Sequence, residues 1–90
     1  MRESDVENHF TWTVAMLGGV CWKTKAIGRV GFPDRVALLP GAIWLCELKQ
    51  PKGRLAAAQK LFAEDCRRLK VNYACLWSIE AIDKWRNLAT

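Results

Sequence analysis

Two apolar runs, residues 34–39 and 43–49, flank Pro40-Gly41 in the stretch GFPDRVALLPGAIWLCELKQPKGRL (31–55). Runs of that length around a Pro-Gly pair read as adjacent antiparallel strands joined by a tight turn. Strand alternation puts Ile43, Leu45, Glu47 and Lys49 on one face and Trp44, Cys46 and Leu48 on the other. The turn brings the two outer ends together, so Asp34 falls beside Glu47 and Lys49. Ionised groups among strand formers are costly to bury unless they are paired or hold a metal. Two carboxylates and an amine converging at one sheet edge therefore define the place where this chain does its work.

The rest of the chain can be arranged around that hairpin. Residues 4–17 carry Val6, Phe10, Val14 and Leu17 at the spacing of one helical face, with Gly18-Gly19 as the stop. Glu3 and Glu7 lie one turn apart on the edge of that face. A strand, GVCWKTK (19–25), and a basic loop, AIGRVGFP (26–33), precede the hairpin, and a second loop, QPKGRL (50–55), follows it. Residues 56–69 predict a helix whose buried stripe runs through Leu55, Ala58, Phe62, Cys66 and Leu69. NYACLW (72–77) is a short strand, and Ser78 caps a last helix over 79–88 with Ile79, Ile82 and Trp85 inward. The order αβββαβα predicts an α/β fold in which helices flank a short mixed sheet. Ninety residues make one domain, 1–90, with room for one core and one site. The five tryptophans are read mainly as core.

Composition removes several function classes. The apolar runs fall short of the ~20 residues of a membrane span, and MRESDVENHF lacks a signal peptide's apolar segment, so the expectation is a soluble, cytoplasmic protein with no membrane partner. Four cysteines, Cys21, Cys46, Cys66 and Cys75, are dispersed among apolar residues, and His9 is the one histidine. Zinc sites need clustered ligands, so these cysteines read as small core side chains and His9 as a surface residue. The net charge is +5, and the excess lies between Lys23 and Arg54: seven basic residues stand there against Asp34 and Glu47. Lys23, Lys25, Arg29, Arg35, Lys52 and Arg54 are candidate DNA-binding residues, because a local cationic surface attracts a polyanion.

Two neighbouring carboxylates repel and raise one another's pKa unless a cation sits between them. A hard divalent ion such as Mg²⁺ resolves that conflict with one or two protein carboxylates, keeping its other positions for water and phosphate oxygens. Lys49 then stabilises developing charge or helps to activate the attacking water. The chemistry that fits is metal-assisted phosphodiester hydrolysis.

Pro33-Asp34 followed by Glu47-Leu48-Lys49 resembles the PD-(D/E)xK nuclease signature. With ESDVE on the first helix, Gly18-Gly19, GxPDR at 31–35, LLPG, ELK and Gln59 after GRL, the chain resembles the virus-type replication-repair nuclease (VRR-NUC) domain, in the stand-alone form of phages and prophages. The resemblance implies a restriction-endonuclease-like αβββαβ core. It implies Asp34, Glu47 and the Leu48 carbonyl as ligands of Mg²⁺ or Mn²⁺, Lys49 as the catalytic lysine, Gln59 projecting towards the site, and Glu7 or Glu3 as the first-helix acid, with Glu7 nearer the sheet. It further implies a homodimeric endonuclease acting on branched DNA, a four-way junction or a flap, inside a bacterial host.

Each of these residues also has a plainer reading. Ser4-x-x-Glu7 fits a capping box. Glu47 and Lys49 fit a same-face ion pair worth about 0–1 kcal/mol. Gln59 could be an ordinary polar helix residue, and the chain as a whole a non-catalytic basic module that only binds nucleic acid.

Overall fold

A computed structural model describes residues 2–24, 31–49 and 53–89. The elements are α1 (Glu3–Met16), β1 (Val20–Lys23), β2 (Arg35–Leu39), β3 (Ala42–Leu48), α2 (Ala57–Leu69), β4 (Tyr73–Leu76) and α3 (Ile79–Leu88). They follow the predicted order, with ends displaced by a residue or two. The strands form one sheet in the order β1-β2-β3-β4. The first two pairings are antiparallel and β3–β4 is parallel, which makes the sheet mixed. Leu39 pairs with Ala42 across Pro40-Gly41, and Gly41 has φ +77°, the left-handed conformation that this turn requires and glycine adopts without strain.

The register sorts the side chains into two faces. One face carries Ala37 and Leu39 of β2, Cys46 and Leu48 of β3 and Leu76 of β4, and it packs against Val6, Phe10 and Val14 of α1 and Ile82 and Trp85 of α3. Trp85 joins the layers, its ring 5.2 Å from Phe10 and 5.8 Å from Trp44. Thr13, absent from the apolar periodicity, is also fully buried in α1. Helix α1 stops as predicted, the N–H of Gly19 returning to Val14 O and that of Gly18 to Ala15 O. At its other end Asp5 accepts the N–H of Arg2 at 3.1 Å, so the cap is made there and the Ser4–Glu7 box is not used. Ser78 accepts the N–H of Ala81 at 3.1 Å and starts α3 as expected. His9 meets Asp83 Oδ1 at 2.7 Å, tying α1 to α3.

The opposite face differs from expectation. Of the predicted α2 stripe only Cys66 is buried, while Leu69 is 60% exposed. Helix α2 meets the sheet through Phe62, whose ring lies 6.1 Å from Tyr73 and 5.1 Å from Phe32. Between α2 and Leu45 runs an apolar groove of about 510 Å³, also lined by Phe32, Leu61, Leu69 and Val71. A helix stripe is buried only where a second layer meets it, and α2 packs mainly against β4, which leaves the end of its stripe and the β1–β2 side of the same sheet face uncovered. Trp22, at 60%, and Trp12, at 51%, are likewise exposed rather than core. No described helix is long and apolar enough to cross a membrane.

Candidate active site

The hairpin register pairs Arg35 with Cys46, which carries Asp34 to Glu47. The two acids are tied reciprocally through each other's strand. The N–H of Asp34 donates to Glu47 Oε2 at 3.0 Å, and the N–H of Leu48 donates to Asp34 Oδ1 at 3.1 Å. The segment before β2 is held from outside as well, because the N–H of Thr24 donates to Asp34 O at 3.0 Å. Gly31, at φ +103°, lies so close to α2 that a Cβ there would come within 2.5 Å of Ala58 O, which explains why only glycine fits. Lys49 continues β3 beyond its last paired residue, its N–H donating to Leu76 O at 3.0 Å.

Glu47 is only 4% exposed, and its neighbours explain why burial is tolerated. Gln59 donates from Nε2 to Glu47 Oε1 at 2.8 Å while its own Oε1 accepts the N–H of Ala56, also at 2.8 Å. One amide thus begins α2 and orients a carboxylate, and the two partners settle which end of the amide faces which. Lys49 Nζ lies 3.7 Å from Glu47 Oε1. Burial, followed by the charge of Asp34, pushes the Glu47 carboxyl above its ordinary range even so. Burial raises Asp34 too, against the opposing pull of the Leu48 N–H and Arg35.

Those directions carry a sign for stability. A carboxyl raised by folding favours the folded state below its unfolded pKa, near 4, and that contribution is lost as pH rises through the folded value. Asp34→Asn keeps an acceptor for the Leu48 N–H and removes the charge. In EDTA at pH 7 it should melt higher than the wild type, and the difference should close as pH falls towards 4. A wild type that is the more stable of the two at pH 7 would show that the Arg35 contact outweighs burial.

The first-helix acid and one predicted DNA contact are found together. Arg35 is 6% exposed and its Nη2 lies 3.1 Å from Glu7 Oε1, so the side chain is turned under the sheet onto α1 and not towards the surface that the expected phosphate contact assumed. The reason is strand parity, since Arg35 shares the inward face with Ala37 and Leu39. Among the described residues no three of His, Cys, Asp and Glu form a metal-binding group, and the Glu7 carboxylate lies against Arg35. The Glu3 side chain lies outside the described part. Lys23 and Arg54 are exposed, whereas Lys25, Arg29 and Lys52 lie outside the described residues.

Sequence reasoning missed one neighbour. Cys75 stands opposite Glu47 in the parallel register, and its thiol is pushed up to about 11 by burial and by Glu47, so it stays protonated at neutral pH. Only the β3–β4 pairing places it there. The donor set suits a hard divalent ion: two carboxylates raised by burial, Glu47 also by the charge of Asp34, with the nearby Cys75 held as a neutral thiol rather than a thiolate that would draw a softer metal.

No family model matches the chain. A solved structure described as a VRR_NUC domain superposes with a TM-score of 0.84 at 30% identity, covering 91% of this chain and 90% of that one. A 52-residue stretch is 40% identical to "Putative nuclease p44" of Acyrthosiphon pisum secondary endosymbiont phage 1, and the match spans 57% of this chain and 56% of that relative. The fold, the likeness over nearly the whole length and the paired acids at the sheet edge agree: the chain belongs to the VRR-NUC family of nucleases.

Proposed function

We propose that this nuclease is a divalent-metal-dependent endodeoxyribonuclease that cuts branched DNA, four-way junctions or flaps, as a homodimer. We place it in phage or prophage replication, recombination or repair in the host cytoplasm, with residues 1–90 acting as one module. The observation that carries the reading is the reciprocal tie between Asp34 and Glu47 with Lys49 beside it. Asp34, Glu47 and the Leu48 carbonyl would hold Mg²⁺ or Mn²⁺. Such an ion supplies Lewis-acid polarisation of the phosphate and a more acidic bound water. Gln59 keeps Glu47 turned to the site, and Lys49 places a positive charge where the phosphate gains negative charge. Lys23 and Arg54, with Lys25, Arg29 and Lys52, would hold the backbone of the strand.

The open sheet face supports the homodimer. Val20, Trp22, Leu38 and Ile43 on the sheet, with Phe32, Leu61, Leu69 and Val71 around the groove, are each 40–68% exposed. Aromatic side chains present about 150–250 Å² each and aliphatic ones somewhat less, so the eight together leave on the order of 700 Å² of apolar surface open. That exceeds the roughly 300–600 Å² of a typical monomer's largest patch and approaches the roughly 800 Å² per partner of a standard interface. Trp22 and the groove beside Leu45 give one face both a projection and a recess, which a twofold contact with a second copy requires. Trp22→Asp with Ile43→Lys should convert a dimer to a monomer in light scattering. A wild type that is monomeric at 100-fold the working concentration would refute the assembly.

The decisive experiment incubates the protein with linear duplex, flap, fork and four-way-junction DNA, with and without Mg²⁺ or Mn²⁺. Metal-dependent cutting of branched substrates in preference to linear duplex is expected. Tight binding with no cutting under any metal would leave a non-catalytic binding module, and equal cutting of all forms would remove the structural selectivity.

A further inference from the structure

Arg35 is, with Glu47, one of two buried charges of the sheet among the described residues. Its guanidinium reaches three atoms of two residues. Nη2 lies 3.1 Å from Glu7 Oε1 on α1, Nη1 donates to Asp34 O at 3.0 Å, and Nη1 lies 3.7 Å from Asp34 Oδ2. The main chain of Asp34 is therefore hydrogen-bonded while its Oδ2 is approached without being bonded. An arginine taken out of water costs several kcal/mol unless its donors are well satisfied, so a buried guanidinium with these partners is a constraint on them. The ties continue into the site: Asp34 N–H holds Glu47 Oε2, and Asp34 Oδ1 holds the Leu48 N–H. Displacing the Asp34 main chain moves both carboxylates together.

We propose that Arg35 is a positioning residue of the active site: anchored by Glu7, it fixes the Asp34 main chain and so holds the two carboxylates in metal-binding geometry, and it makes no contact with DNA. The inference rests on Asp34 and Glu47 being the pair that holds the metal. It gives Glu7 a place in the site through Arg35, in place of a seat on the ion.

Charge and positioning predict opposite signs. Removing a cation 3.7 Å from a carboxylate should by Coulomb's law tighten the binding of a divalent ion. Loosening the carboxylates should weaken it, by the roughly 10–100-fold typical of residues that orient metal ligands. The test titrates the whole protein with Mn²⁺ by calorimetry, using wild type, Arg35→Gln, Arg35→Lys, Glu7→Gln and the Arg35→Gln/Glu7→Gln double variant. Turnover and metal-free DNA binding are measured alongside. Arg35→Gln and Arg35→Lys should each lose about tenfold or more in Mn²⁺ affinity, since lysine keeps the charge but not the fork. kcat should fall with KM for DNA unchanged, and metal-free DNA affinity should not move. Glu7→Gln should act in the same direction, and the double variant should be no worse than Arg35→Gln alone, because both act through one contact.

Mn²⁺ affinity that holds or tightens in Arg35→Gln overturns the proposal, as does weakened metal-free DNA binding, which would make Arg35 a phosphate contact after all. A double variant that loses much more affinity than either single one makes Glu7 a ligand in its own right and also overturns it. Should Arg35→Gln fail to fold, Arg35→Lys and Glu7→Gln read the same quantities. A wild type with no Mn²⁺ affinity overturns the metal-dependent nuclease reading itself and this inference with it, whereas normal wild-type affinity with unaffected variants overturns this inference alone.

Discussion

Asp34→Asn and Glu47→Gln should each reduce cleavage of branched DNA to the background, a loss of at least about a thousandfold, and abolish measurable Mn²⁺ binding. A neutral amide is a far poorer ligand for a hard cation than a carboxylate. The two variants differ in what they disturb. Asn at position 34 can keep its carbonyl oxygen on the Leu48 N–H, so the site should retain its shape. Gln at position 47 cannot keep both contacts of Glu47. One oxygen accepts from the Asp34 N–H and the other from Gln59 Nε2, whereas an amide offers one acceptor and must turn its NH₂ towards a donor. Asp34→Asn is therefore the cleaner probe of metal binding, and its metal-free DNA affinity should equal or exceed that of the wild type, because a negative charge facing phosphate is gone. Single-turnover cleavage and calorimetric Mn²⁺ titration check both. Wild-type cutting by either variant would remove the metal site from the mechanism.

Lys49→Ala should separate binding from chemistry. Its main chain is held by Leu76 O and its amine lies beside Glu47, so truncation leaves the strand and both carboxylates in place. Mn²⁺ affinity should be retained. Turnover should fall by about 10²–10³, the cost of removing one positioned group that meets developing charge, and KM should change little. Lys49→Arg should recover only part of the loss, since a planar guanidinium cannot put a point charge where an ammonium sits. Measured under single-turnover conditions, wild-type rates for Lys49→Ala would reduce the Glu47–Lys49 contact to a simple ion pair worth about 0–1 kcal/mol.

The chain's local patterns determined the elements and the place of the site. Period-two and period-3.6 spacings, Gly18-Gly19, Pro40-Gly41 and Ser78 are signals contained within a few residues, and the strands and helices appear where they point. The convergence of Asp34 with Glu47 was legible for the same reason, because a two-residue turn dictates which residues lie opposite. Family-like spacing singled out Gln59 but could not say that its amide both starts α2 and grips Glu47, a contact twelve residues apart that needs α2 laid against the sheet edge. What stayed hidden depends on which layer covers which face. Arg35 counted as a surface cation until parity and α1 turned it onto Glu7. The α2 stripe counted as core until α2 proved to pack mainly on β4, which left the groove beside Leu45 and the open row of Val20, Leu38 and Ile43. Cys75 reached Glu47 only through the parallel pairing of β3 with β4, a contact between segments separated by a whole helix. Spacing along a chain records which face a side chain takes, but burial and charge pairing are properties of the second layer, and only the packed molecule supplies it.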